Sequence, residues 1–115
     1  MTSKSKAKAI SIYISASDHR DGEPLYAVIV QEAKKRGLSG ATVLRAMMGF
    51  GAHSRIHSTN ILVLSEDLPV VITLIDTPEK IDEFLPVLEL MVGEGTVVSC
   101  DVNVEVFRER AQSKD

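Results

Sequence analysis

The sequence predicts an α+β fold of order β-α-β-β-α-β, in which two helices cover one face of an antiparallel sheet. Three observations predict it. Ile10, Ile12, Ile14 and Ala16 alternate with Ser11, Tyr13 and Ser15, the period-two pattern of a half-buried strand. Two stretches, Leu25 to Ala33 and Ile81 to Val92, repeat their apolar residues at helical spacing. The segments PVVITLI and, later, Val97, Val98, Val102, Val104 and Val106 are rich in β-branched residues that suit strands.

Taken in order, residues 1–8 are small, polar and Lys-rich and are expected to form a disordered tail, so that a single domain spans 9–110 and 111–115 trail from it. A helix is expected over 22–36, with Asp21, Glu23 and Pro24 at its start, Lys34, Lys35 and Arg36 in its last turn and Gly37 as its stop. Ala41 to Phe50 reads as a strand from Thr42, Val43 and the flanking glycines, although Leu44, Ala46, Met47 and Met48 would also suit a helix. Met47 and Met48 read as core or interface residues. A short apolar run, Asn60 to Leu64, precedes the strand Pro69 to Ile75.

Thr77, Pro78 and Glu79 open the second helix as cap, first residue and first-turn acid. An interior proline costs about 3 kcal/mol unless a bend relieves it, so Pro86 predicts a kink and not an end. Gly93-Glu94-Gly95 is a turn into the last strand. This alternation is that of the ferredoxin-like split βαβ sandwich. Strands apolar on both faces leave the uncovered side of the sheet sticky, and self-association is the economical cover.

A chain of 115 residues with 44% apolar content builds one core. Its formal charge of -3 gives no general attraction to nucleic acid or to anionic membranes. No apolar stretch approaches the ~20 residues that cross a bilayer, and MTSKSKAK has no apolar segment of secretory type. The single Cys100 forms no internal disulfide, and a cytoplasmic location is expected. Amid valines, Cys100 reads as a small buried hydrophobe and not a nucleophile. Asp18, Asp21 and Glu23, like Glu66 and Asp67, read as helix-start and turn chemistry with no acid-base dyad, so no enzyme is expected. His53 and His57 read first as solvent-exposed, with ligand or partner contact and metal binding as alternatives.

Three stretches in order, SGATVLRAMMGFG, EDLPVVITLID and GEGTVVSCDV, resemble the PII signal-transduction superfamily over roughly residues 9 to 107, and most nearly an uncharacterised bacterial branch of it. The resemblance implies a homotrimer with sheets packed around a threefold axis. It implies a small anionic ligand in the intersubunit clefts, an adenine nucleotide being one candidate, and no permanent cofactor. By the same resemblance Thr42, Gly49, Phe50, Gly51, Gly93, Gly95, Thr96 and Arg108 are ligand-binding positions, with Gly49 to Gly51 a hinge and Gly93 to Thr96 a phosphate-cradling turn. His53, Ser54, Arg55 and His57 fall in the partner loop, Ala52 to roughly Asn60. The family has a lysine where this chain has Thr96, its last-strand arginines sit one residue before Arg108 and Arg110, and its uridylylated tyrosine has no counterpart between Gly51 and Asp67. The function implied is that of a regulatory protein signalling occupancy through the loop. The alternatives are a ligand-free docking subunit of a membrane transporter or ion channel, and a metal-binding relative using His53, His57 and Cys100.

Overall fold

A computed structural model of the chain describes residues 1–50 and 68–109. Its elements are β1 (Ser5–Ser15), β2 (His19–Arg20), β3 (Glu23–Pro24), α1 (Leu25–Lys35), β4 (Thr42–Arg45), β5 (Pro69–Asp76), α2 (Pro78–Met91) and β6 (Thr96–Val104). The main sheet has the order β4-β5-β1-β6 with every neighbour antiparallel, the split βαβ arrangement expected. The apolar run 60–64 lies outside the described residues.

The core follows from alternation on the two central strands. Ile10, Ile12 and Ile14 of β1 stand beside Leu74, Ile72 and Val70 of β5, and all six are buried. Against them pack Leu25, Ile29 and Ala33 of α1 and Ile81, Phe84 and Leu88 of α2, residues three or four apart on one face of each helix. Each of the larger side chains contributes about 1.5 to 3 kcal/mol of burial. The Thr77 hydroxyl caps α2 by accepting from Lys80 N, and the helix runs through Pro86 to Met91 without ending there.

Two expectations near the start of the chain are corrected. Asp21 and Gly22 both take positive φ, 52° and 83°, the conformation of a tight two-residue hairpin turn favoured by Asp-Gly. Residues 19–24 therefore form the β2-β3 hairpin, and α1 begins only at Leu25 with Pro24 as its cap residue and no acid in its first turn. The first strand likewise begins at Ser5 and not at Ala9, because β6 is long enough to pair with it to Val104. Ala7 is 2% exposed, while Lys6 and Lys8 keep their ammonium ends at the margin. Beyond the ladder Ser3 Oγ accepts from Phe107 N and donates to Phe107 O, at 2.6 and 2.9 Å.

Lys8 Nζ donates to Asp82 Oδ1 at 2.7 Å. That bond, together with the field of Asp82 and Asp101, raises the ammonium pKa against the lowering effect of desolvation. A raised pKa means that this contribution to stability is present below the ordinary lysine range and is lost as pH climbs through the folded value.

Asp76 is the buried charged residue of the described chain, at 1% exposure. Its Oδ2 accepts from Ser39 N at 2.8 Å and its Oδ1 from Thr77 N at 2.7 Å, while Ser39 Oγ donates to Ile75 O. These bonds tie the α1-β4 connection to the end of β5, and Lys80 Nζ secures it further at Gly37 O, 2.9 Å. Asp76→Ala strands two backbone donors and is expected to lower stability by about 2 kcal/mol, read as a lower urea midpoint with unchanged slope.

Candidate functional site

The two glycine segments meet the sheet at the same end. The C-terminus of β4, the N-terminus of β5, the C-terminus of β1 and the N-terminus of β6 all lie there, since Arg45 pairs with Val70, Val70 with Ile14 and Tyr13 with Thr96. Past β4 the chain stays on β5 through Ala46 N donating to Pro69 O at 2.9 Å. A Cβ on Gly49 would lie 2.9 Å from Pro69 Cγ, so this glycine lets the segment lie against the proline ring. Phe50 is 75% exposed. Gly51, His53, Ser54, Arg55 and His57 fall outside the described residues. Met47 and Met48 are open to solvent in the single chain, at 97% and 72%, and so are not core residues. The strand expected over Ala41 to Phe50 is corrected: β4 stops at Arg45, short of both methionines.

At the opposite edge, Gly95 has φ +147° and presses on β1 so closely that a Cβ would sit 2.6 Å from Tyr13 O and 2.9 Å from Ile14 Cγ2. Gly93 meets nothing within 4 Å. The two glycines of the turn thus differ in kind: one is demanded by close approach of backbone, the other is not. Thr96 pairs with Tyr13 and shares its face, the side of the sheet away from the helices. Thr42, paired with Thr73, lies on that same face one row further in.

Gly49 and Gly95 lie at one end of the sheet: Gly49 follows the β4 edge and rests on Pro69 of β5, and Gly95 precedes the β6 edge and rests on β1. Arg108 is elsewhere. β6 runs from Thr96 to Val104, eight steps or ~26 Å, and the chain continues away past Phe107 at Ser3. One chain does not bring Arg108 to the turn. A basic residue that the structure does place at this end of the sheet is Arg45, the exposed last residue of β4, which sequence reasoning missed; its place just before AMMGFG was the available signal.

On the helix side of the turn, Asp18, His19, Leu25, Met91, Gly93 and Glu94 line a cavity of about 290 Å³. Asp18 Oδ2 accepts from Ser15 N at 3.0 Å, His19 Nδ1 meets Ser17 O, and Arg20 Nη1 reaches Leu90 O at 3.4 Å, holding the hairpin over the end of α2. Two carboxylates and the negative end of α2 weigh against an anion on this side, with Arg20 as the opposing positive charge. The opposite side, where Thr96 and Tyr13 lie, carries no such charge. Cys100 is exposed there opposite Ala9, so the expectation of a buried thiol is corrected for the single chain: β6 is an edge strand, and no described helix covers that face of the sheet. Among the described residues no group of three His, Cys, Asp or Glu side chains is arranged to hold a metal.

Comparison with known proteins agrees with this geometry. The family model DUF190, described as an uncharacterised ACR, matches residues 7–104. A UPF0166 protein of Methanocaldococcus jannaschii is 36% identical over 100 residues, covering 86% of this chain and 92% of that protein. A UPF0166 protein of Aquifex aeolicus is 41% identical over 80 residues, covering 70% and 76%. Among solved structures, a nitrogen regulatory PII-like protein of Thiomonas intermedia, bound to ADP, AMP and bicarbonate, aligns with TM-score 0.59 at 19% identity over 88% of this chain and 90% of that one. A putative PII-like signaling protein of Thermus thermophilus aligns with TM-score 0.55 at 22% identity over 86% and 87%. At such identities the likeness is one of fold, and the fold is PII-like.

The glycine geometry separates two substitutions that sequence treats alike. Gly95→Ala is expected to lower stability by about 1 to 3 kcal/mol, because the methyl meets a backbone oxygen at a dihedral that L residues avoid. Gly93→Ala, in open space, should change the melting temperature little; thermal unfolding of the two variants side by side makes the check.

Proposed function

The chain belongs to the DUF190 family, and we propose that it is a PII-like regulatory protein that assembles as a homotrimer and binds a small anionic metabolite between subunits. The observation that carries this reading is that Gly49-Phe50 leaves one edge strand, β4, and Gly93–Thr96 enters the other, β6, at the same end of the sheet. A ligand touching both is served by a ring in which the β4 edge of one copy adjoins the β6 edge of the next. In such a cleft Arg45 supplies positive charge from one side, while the turn's backbone N–H groups and Thr96 face the anion from the other. Arg108 contributes only if another copy brings it there.

An adenine nucleotide is the first ligand to try, since the T. intermedia relative in fold was solved with ADP and AMP. Residues 52–60 would carry occupancy to a partner protein. Thr96, standing where the family resemblance has a lysine, supports a second reading in which the protein docks on a transporter or channel without a small ligand. No helix among the described residues is long and apolar enough to cross a membrane itself.

Calorimetric titration of the assembled protein with ADP and AMP is the test. Binding is expected, Thr96→Lys should tighten it by about 1 kcal/mol through an added charge-assisted contact, and Arg45→Ala should weaken it by a similar amount. Absence of heat with any adenylate, from protein that sizes as an oligomer, would overturn the nucleotide reading and leave the docking one.

A further inference from the structure

Among the described residues, the strand registers place no charged residue on the sheet face away from the helices. Across it run Leu44, Val71, Tyr13 and Thr96, then Thr42, Thr73, Ser11 and Val98, then Ile75, Ala9 and Cys100, then Ala7 with Val102 and Ser5 with Val104. Lys6, Lys8, Asp76, Asp101 and Arg45 all fall on the other side. Leu44 is 62% exposed, and Tyr13, Ile75 and Val98 are also open. A surface with no charge has nothing to match in a charged partner, a nucleic acid or a lipid headgroup. Its best complement is a surface of the same make, a second copy of this chain.

Within this apolar field one row is different. Thr42, Thr73 and Ser11 present three hydroxyls side by side on three adjacent strands, and none of them has a hydrogen-bond partner among the described residues. Ser11 and Thr73 are already half-buried in the single chain. If copies cover the face, hydroxyls left facing apolar side chains would each weaken association by about tenfold or more. Alignment of row against row removes that penalty.

We propose that the hydroxyl row Thr42, Thr73 and Ser11 is a register key for assembly, hydrogen-bonding across to the same row of neighbouring copies and thereby fixing how many copies close together and at what height. The inference rests on the assembly reading above and adds to it the residues that specify the interface. Buried polar groups act in this way in helical coils, where one polar position sets register and oligomer number at some expense of stability.

The test is sedimentation velocity of the full-length chain across a concentration series, for wild type, Ser11→Ala, Thr73→Val and the double variant. Wild type is expected to form one oligomer. Each single substitution leaves a counterpart hydroxyl unpaired and should raise the dissociation concentration about tenfold. The double variant removes two of the row's three hydroxyls; it should recover part of the affinity lost in the single variants but form a mixture of sizes. Single variants that associate as tightly as wild type in one stoichiometry would overturn the register key and leave assembly standing. A double variant that keeps one stoichiometry would do the same. A wild-type monomer at micromolar concentration would overturn the assembly reading and this inference together.

Discussion

The alternation of β1 is the constraint on which the rest depends. As an inner strand it is hydrogen-bonded on both sides, so its two rows of side chains have fixed destinations. Ile10, Ile12 and Ile14 face the helices and meet Leu74, Ile72 and Val70 in register; Ala7, Ala9, Ser11 and Tyr13 face away. A slip of one residue would send the isoleucines to the bare side and Ser11 and Tyr13 toward the core. The long pairing with β6, continued by Ser3 and Phe107, makes such a slip expensive because every ladder bond would have to move with it.

Much of this was legible in the sequence, and the parts that were not share a cause. Period-two and helical spacing identify β1, β5 and α2, and Thr77-Pro78 marks the start of α2 to the residue, since cap chemistry is local. The start of α1 misled because Asp, Glu and Pro serve a tight hairpin as well as a helix first turn; Asp21-Gly22 decided for the hairpin. Ser5 to Lys8 looked like a tail because their partner, residues 101–104, lies almost a hundred positions away. The distance of Arg108 from the turn is likewise a fact of strand direction, which no local pattern carries. Gly93 and Gly95 look equivalent as letters and differ only in what a Cβ would strike.

The placement of the glycine turn also bears on how a ligand and an assembly depend on each other. A single chain offers an anion little at Gly93–Thr96: the helix side holds Asp18 and Glu94 beside the negative end of α2, and the other side is bare sheet. Screening by water would weaken any contact made to such an open turn. In the proposed assembly a neighbouring copy would change both conditions, by excluding water and by bringing the Arg45 edge to the Thr96 edge.

From this follows a reciprocal coupling. A ligand that bridges two copies binds only the assembled form, so it strengthens assembly by the same factor by which assembly strengthens its binding. The hydroxyl row and the glycine turn would then act on one equilibrium from two places: Ser11 and Thr73 in the middle of the face choose the arrangement, and the ligand at its end reports whether that arrangement has formed. Gly95 connects the two physically, since it rests on the carbonyl of Tyr13, two residues from Ser11 on the same strand.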